Sequence, residues 1–367
     1  MKKQQETCKR VDIGGQAVME GVMMKSPDAI AIAVRRPDNT IVVRHNPYES
    51  LAKKHKWMGW PFVRGTVSMF TMFSQGMSTL QQSTDMLGIL DEEPTKFEMW
   101  LSKKLGKGID KIVMAVAIVL AVVLSVGLFF VLPELFAKLL KGFWPEPSMS
   151  WLVNLLSGLL RIAILVGYIL FCATVPEVRR TFEYHGAEHK TVYANENDLP
   201  LTPENAQKFG TLHPRCGTSF LLIVFVISIV LFTLVGYQGG AFIWRLLSRL
   251  ALLPVVAGIS YEVLKRLAHS QSALTKALRW PGMQMQRLTT RPPTDAMVEV
   301  AIVAMNVALH GLPAHAKRTP EGWAVLRDYR ESDPGYTPPV GDAAADRGAE
   351  TSGTMAGDMQ PLTAALD

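Results

Sequence analysis

The residues of this 367-residue chain that are best suited to chemistry lie in the stretch His185-Gly-Ala-Glu-His189. Its two histidines are four residues apart, so on a helix their imidazoles lie one above the other and can reach the same cation. A second pair, His213 and Cys216, offers another imidazole and a thiolate, and both are good zinc ligands. Together the four side chains predict a site for zinc or another divalent transition metal.

Three interpretations of this motif stay open. If all four side chains bind, the site is closed and structural, and it fixes the loop between two helices. If three bind, a water completes the coordination and Glu188 is placed to act as general base, as the glutamate does in other H-x-x-E-H enzymes. If none binds, the histidines are ordinary polar residues at a membrane surface, which is a common outcome for any short motif.

The elements that must position these residues are membrane-spanning helices. Two charge-free apolar stretches, 112–132 and 217–238, are each long enough to cross the hydrocarbon core as a helix. Two further stretches carry arginine: 151–175 contains Arg161, and 241–262 contains Arg245 and Arg249. The sequence therefore predicts an α-helical polytopic membrane protein with about four transmembrane helices. Arg161, the deepest of the arginines, is expected to make a buried polar contact.

Charge at the ends of these spans predicts their orientation. Basic residues gather before the first span, after the second and after the fourth, whereas the two loops on the other side carry only Lys138 and Lys141. The positive-inside rule then places both termini and the loop 176–216, with the candidate metal site, in the cytoplasm. The polar N-terminus lacks the apolar stretch of a cleaved signal.

The segments outside the spans predict a small cytoplasmic α+β portion. Within 1–63, two β-branched stretches around Pro37-Asp38-Asn39 predict a β-hairpin. Apolar residues at helical spacing in 64–90 predict an amphipathic helix that lies on the bilayer or packs against the spans. The segment 263–309 completes this portion, with Asp295 as the expected N-cap of a helix. The composition of 310–367 predicts a disordered tail.

A glycine-rich stretch, Ile13 to Met24, precedes the hairpin. Residues 13–34 are apolar but too few to form a core alone, so we expect them to pack against the loop that carries the metal motif. Glu20 lies in this stretch. Simple exposure is the leading interpretation of Glu20, and a role as a remote acid, base or ligand is the alternative.

Cysteine usage and charge exclude two classes of protein. The three cysteines are too few and too far apart for a disulfide framework. The net charge of +6 is spread along the membrane flanks and the tail rather than gathered into a patch with interleaved aromatic residues, so no nucleic-acid binding is predicted. The partner that the sequence predicts is the lipid bilayer.

Several stretches resemble the YqhQ-like family, bacterial membrane proteins with a domain of unknown function that are often labelled metal-dependent enzymes. They cover most of the chain up to Leu309: GGQAVMEGVMM from Gly14, YHGAEHKTV from Tyr184, HPRCGTSFL from His213, SYEVLK from Ser260 and PGMQMQRLTTRPP from Pro281. The resemblance implies a polytopic inner-membrane protein with a metal site at His185, His189, His213 and Cys216. It implies no particular reaction.

The leading functional prediction is a metal-dependent hydrolytic enzyme at the cytoplasmic face of the membrane. In this hypothesis three histidines, His185, His189 and His213, hold zinc, Cys216 is a fourth ligand or a near neighbour, and Glu188 activates water. The alternative is a non-enzymatic membrane scaffold or assembly factor whose metal site is structural.

Overall fold

The structure, a computed structural model, describes residues 13–88, 109–143, 150–235, 242–269 and 272–337. It joins a six-stranded antiparallel sheet to a set of mainly long helices. Four of these helices are long and apolar enough to cross a membrane, judged by length and composition. The architecture therefore agrees with the prediction of a helical protein with four candidate spans and an N-terminal β portion.

The sheet begins with two consecutive hairpins. Its first four strands are β1 (Gly14–Val18), β2 (Gly21–Lys25), β3 (Ala29–Arg35) and β4 (Ile41–Pro47). The predicted hairpin is confirmed as β3 and β4, which turn through Asn39 at a positive φ of 66°. The glycine-rich stretch forms the other hairpin, β1 and β2. A side chain at Gly21 would meet the carbonyl of Ala33, so this register requires glycine there.

Two strands from the C-terminal region complete the sheet. β5 (Lys317–Arg318) pairs with β6 (Ala324–Leu326), and β6 pairs with β4, where Leu326 lies opposite Ile41. The prediction of a disordered tail from residue 310 is therefore wrong for 311–337, while 338–367 lie outside the described residues. The prediction failed because the local composition is rich in turn-forming residues, and the short strand is stabilised by distant residues of β4.

Helices cover both faces of the sheet, which explains why β3 is almost entirely buried. Alternate residues of a strand point to opposite faces. Ala31 and Ala33 pack with the helix α11 (Asp295–His310), whereas Ile30, Ile32 and Val34 pack with the end of α2 (Val63–Leu87). Small alanines on one face let α11 lie close to the sheet. This nearly wholly buried helix is the centre of the soluble core.

The remaining helices follow in chain order. They are α1 (Leu51–Lys54), α3 (Ile109–Val126), α4 (Leu132–Phe143), α5 (Ser150–Cys172), α6 (Pro176–Glu196), α7 (Pro203–Gln207), α8 (Gly217–Val235), α9 (Phe242–His269) and α10 (Ala273–Thr289). A π-helical turn, Gly127–Val131, joins α3 to α4, and 3₁₀ turns occupy Lys56–Gly59 and Tyr329–Ser332.

The candidate spans match the predicted ones in number and nearly in position. They are Ala115–Leu140, Trp151–Cys172, Gly217–Leu234 and Leu247–Leu267. The first continues through the π turn beyond the predicted end at 132, and the fourth lies several residues after the predicted 241–262. Hydropathy located the apolar stretches. The first span is longer than predicted because the helix continues past the proline at position 133.

Two local predictions outside the spans can be judged. The predicted amphipathic helix 64–90 is confirmed as α2, which packs against α9 where a side chain at Gly65 would clash with Tyr261 and Gly258. Its outward face stays apolar, with Phe70 and Phe73 largely exposed. The predicted N-cap Asp295 is wrong by one residue, because Thr294 holds that position and Asp295 is the first helical residue.

Candidate metal centre

Helix α6 carries the metal motif and is fixed at close range by the segment after α10. Its proline at the first position starts the helix without losing a backbone hydrogen bond. The N–H of Arg291 donates to the carbonyl of Phe182. A Cβ at Gly186 would lie 2.1 Å from the carbonyl oxygen of Arg291, so only glycine allows this approach. The close contact places Thr289 beside the motif.

Both histidines of α6 are oriented by backbone carbonyl groups. Nδ1 of His185 lies 2.8 Å from the carbonyl oxygen of Thr289, and Nδ1 of His189 contacts the carbonyl oxygen of Thr211. A carbonyl oxygen only accepts hydrogen bonds, so each Nδ1 carries a proton and Nε2 is the ring nitrogen left to bind a metal. Histidines that bind metal are usually held in this way.

A thiol meets the two imidazoles. Sγ of Cys216 lies 3.2 Å from Nε2 of His185, and the ligand atoms of His185, His189 and Cys216 all lie within 4.8 Å of one another. Nε2 of His189 is buried without a hydrogen-bond partner. Cys216 comes from the turn before α8, so the site joins two helices at the end of the candidate spans.

Burial determines the protonation state of His189 in the centre. It lowers the pKa of His189, which is 2% exposed, although the neighbouring Cys216 and the Thr211 carbonyl act in the opposite direction. His189 is therefore neutral at pH 7, with its lone pair available. A metal needs neutral imidazoles and a deprotonated thiol, and His189 already meets this requirement.

His213 lies beside the three donors but is oriented differently. Its ring centroid is 5.6 Å from that of His189. Nδ1 of His213 accepts the backbone N–H of Arg215, so in the neutral ring Nε2 carries the proton, and Nε2 lies 3.2 Å from Oε1 of Glu196. The structure thus brings together three of the four predicted donors and directs the fourth toward a carboxylate.

Glu188 packs away from the donors, against the first strand of the sheet. A Cβ at Gly15 would lie 2.9 Å from its Cγ, and the carboxylate accepts the N–H of Gly15. Burial raises the pKa of Glu188, opposed by the charge of His185 and by the Gly15 N–H. One oxygen, Oε2, is buried without a partner. Glu188 therefore keeps its proton to a higher pH than an exposed glutamate does.

The contact with β1 confirms that the glycine-rich stretch packs against the metal region. Glu20 has a positive φ of 48° at the turn between β1 and β2, and it forms a two-pronged ion pair with Arg180 of α6. The hydroxyl of Tyr184 also donates to Glu20, at 3.4 Å. Glu20 thus ties the hairpin to α6.

Two residues of the centre were missed by sequence reasoning. Glu196 pairs with His213 and Arg215. Gln286 is fully buried on α10, accepts the N–H of His213 and donates to the His213 carbonyl and to Ser219. Of the two, only Gln286 could have been noticed in the sequence, because it is a polar residue within PGMQMQRLTTRPP, one of the stretches that carry the family resemblance. Its contacts lie 73 and 67 residues away along the chain.

Comparison with known proteins places the chain in a family. Residues 60–311 match the family model described as "Protein of unknown function (DUF1385)", which is more than half of the chain. The uncharacterized protein YqhQ of Bacillus subtilis (strain 168) is 35% identical over 304 residues, covering 81% of this chain and 92% of that protein. The chain belongs to the DUF1385 family.

The DUF1385 match contains every donor of the candidate centre. It begins after β4 and ends at Gly311, so the four N-terminal strands lie before it and β5 and β6 lie after it. No solved structure matches the chain.

Proposed function

We propose that the protein is a metal-dependent enzyme of the hydrolytic type, embedded in the bacterial inner membrane with its metal centre on the cytoplasmic side. One observation carries the proposal. Two histidines whose Nδ1 atoms are engaged by backbone carbonyls, His185 and His189, converge with the thiol of Cys216. Such a set of donors fits zinc or another divalent transition metal.

The spacing of the donors supports metal binding. A tetrahedral zinc ion with ligands at about 2.0–2.3 Å has its ligand atoms roughly 3.3–3.8 Å apart. The Nε2–Sγ distance of 3.2 Å between His185 and Cys216 is close to this value, and the limit of 4.8 Å for the set requires only a small contraction. Three protein ligands leave one position open, which is the pattern of catalytic rather than structural zinc.

The chemistry of hydrolysis also needs a group that moves a proton. A divalent metal at this centre would supply Lewis-acid activation of water and of a carbonyl or phosphoryl oxygen. Glu188 is the carboxyl group next to the proposed ligand His189 in the chain, and its pKa, which burial raises, favours its taking a proton during the reaction. In this proposal the side chain of Glu188 turns from Gly15 toward the centre, so that its partnerless oxygen faces the metal-bound water.

A structural metal is the second candidate, and the burial of the donors favours it. His189 is 2% exposed and Cys216 is 8% exposed, which restricts access to a substrate. The donors also join α6 to the start of α8, where a metal would fix the loop 197–216 between two helices. In this scaffold hypothesis Glu188 only stabilises the contact with β1.

Metal content decides whether either proposal stands. Full-length protein purified in detergent should contain about one zinc-class ion per chain, and His189→Ala should lose it. His55→Ala is the matched control, because His55 is exposed and remote from the centre. Equal metal content in the wild type and in His189→Ala would contradict both the enzyme and the scaffold hypotheses.

Replacement of Glu188 then separates enzyme from scaffold. Glu188→Gln keeps the shape of the side chain, so the fold and the metal should be retained. In the enzyme hypothesis this variant loses hydrolysis of ester, phosphoester or peptide substrates that the metal-loaded wild type cleaves, by roughly 10²–10⁴-fold. Full activity of Glu188→Gln would exclude Glu188 as the proton-transfer group, and a wild type without any hydrolysis would favour the scaffold.

Reporter fusions test the proposed orientation. A reporter that is active only in the cytoplasm, attached at the C-terminus or inserted in the exposed loop around Asp198, should be active in both positions. The same reporter inserted between α4 and α5 should be inactive. The reverse pattern would place the metal centre on the outer side of the membrane.

A further inference from the structure

A second polar cluster lies inside the candidate spans, far from the histidines. It surrounds a small cavity between α4, α5, α8 and α9, and its polar lining residues are Glu134, Asn154, Ser157, Arg161, Thr233 and Arg249. The candidate metal centre lies at the opposite end of the same helices, since Cys216 precedes α8 and Thr233 is near its end. Nothing in the proposed function uses this cluster.

The three charged residues lie at successive depths. Arg249 is two residues inside its span, or about 3 Å at the helical rise, and Glu134 is six residues inside, or about 9 Å. Arg161 is ten residues from Trp151, about 15 Å deep, near the middle of a hydrocarbon core roughly 30 Å thick. Short connections join α4 to α5 and α8 to α9, so all three depths are measured from the same membrane face.

Among the described residues that line the cavity, positive charges outnumber negative charges by one. Arg249 pairs with Glu134 at 3.5 Å, so one carboxylate faces two arginines. Arginine stays protonated in proteins, and Arg161 cannot relieve its charge by losing a proton. Its Nε atom is buried without a hydrogen-bond partner. An uncompensated charge at this depth is costly and usually marks a functional site.

We propose that this cavity binds a small monovalent inorganic anion such as chloride. The anion neutralises the excess positive charge and accepts a hydrogen bond from Nε of Arg161, and the amide of Asn154 and the hydroxyl of Thr233 are further donors in the lining. A polar path to the site leads from the membrane surface to mid-depth past Arg249, Glu134 and Arg161, in that order.

Size decides between a small anion and a larger one. The cavity has a volume of about 10 Å³, which is room for about one water-sized ligand. A lipid phosphate or an organic carboxylate offers oxygen atoms that suit arginine equally well, but either group is several times larger. The cavity therefore favours a single-atom anion, and a lipid headgroup becomes an alternative outcome of the test.

Thermal unfolding in defined salts tests the proposal. Full-length protein in lipid-free detergent should show a saturable rise in Tm when chloride or bromide replaces gluconate at constant ionic strength. In Arg161→Met the half-saturating chloride concentration should rise by at least about tenfold, because a charged hydrogen-bond donor is lost. Arg179→Met is the matched control, since Arg179 is an exposed arginine outside the spans.

A second variant and a second readout keep the test valid if Arg161→Met fails to fold. Thr233→Val is nearly isosteric, and it should weaken the chloride dependence of Tm without abolishing it. Broadening of the ³⁵Cl NMR signal by the wild type, reversed by bromide, would report bound ion directly. The proposal is overturned if chloride and gluconate give the same Tm, if Arg161→Met keeps the wild-type response, or if only added phosphatidylglycerol raises Tm.

Discussion

Nε2 of His185 lies 3.2 Å from Sγ of Cys216, although the two residues are 31 positions apart in the chain. The contact joins the middle of α6 to the turn that begins α8. Without a metal the thiol donates a hydrogen bond to Nε2 of the imidazole. In the proposed metal site both atoms would be ligands, because their separation is already that of two neighbours in a coordination shell.

Replacement of Cys216 tests this pair. In Cys216→Ser the thiolate ligand is lost, so zinc affinity should fall by an order of magnitude or more, while the small change in volume leaves the fold intact. Protein loaded with cobalt(II) should show a thiolate-to-metal absorption band in the near ultraviolet that is absent in this variant. Cys172→Ser is the control, because Cys172 lies in α5, and its cobalt spectrum should equal that of the wild type.

A methyl group at Gly186 should separate α6 from the segment after α10. The added Cβ would lie 2.1 Å from the carbonyl oxygen of Arg291, so backbone must move. Gly186→Ala should cost about 1–3 kcal/mol of unfolding free energy and should weaken metal binding, since Thr289 would shift away from His185. Denaturant unfolding and metal titration measure the two effects.

Gly167→Ala is the matched control for that experiment. Nothing lies within 4 Å of a Cβ at Gly167, which is also helical. There the substitution should be neutral or stabilising by up to about 1 kcal/mol, because alanine favours the helix. If the two alanine variants were equally stable, the close contact at Arg291 would be wrong.

Gln286 should prove important for the position of His213. Its amide bonds the backbone N–H and the carbonyl of His213 at 2.8 Å each. Gln286→Leu would leave the buried N–H without a partner, whereas the carbonyl would keep the 3.3 Å bond from the N–H of Cys216. We expect a loss of about 1–3 kcal/mol for the unsatisfied N–H, measured by denaturant unfolding. The exposed Gln81 of α2 supplies the comparison, and Gln81→Leu should change stability by less than about 0.5 kcal/mol.

Acid should weaken the contact between Glu196 and its two partners. Burial alone would raise the pKa of Glu196, but the hydrogen bonds and charges of His213 and Arg215 outweigh it, so the pKa lies below the usual 4.5. A carboxyl with a depressed folded pKa contributes stability that is present above the unfolded value. That contribution is lost as the pH falls from about 4.5 through the folded pKa.

Glu196→Gln isolates this effect. The difference in unfolding free energy between wild type and variant should shrink as the pH falls below about 4.5, the unfolded value. Urea unfolding at closely spaced pH values measures it. A difference that grew toward low pH would mean that the folded pKa is raised, contrary to the contacts with His213 and Arg215.

The sequence by itself determined the features that depend on neighbouring residues. Apolar stretches, two of them interrupted by arginine, predicted four spans, and the helical repeat placed His185 and His189 on one face of α6. The alternation around Asn39 predicted the β3–β4 hairpin. In each case the deciding interactions, helical hydrogen bonds or a tight turn, join residues close in the chain, so local composition is enough to predict them.

Tertiary structure decided the rest, because the deciding contacts join residues that are distant in the chain. His213 has the residue type of a ligand, but the N–H of Arg215 and the carboxylate of Glu196 direct its ring away from the donors. Glu188 has the spacing of a catalytic base, yet packing of β1 against α6 holds it at Gly15. Residues 324–326 form a strand only because the edge of β4 is free to pair with them. Side-chain type and spacing carry no information about such packing.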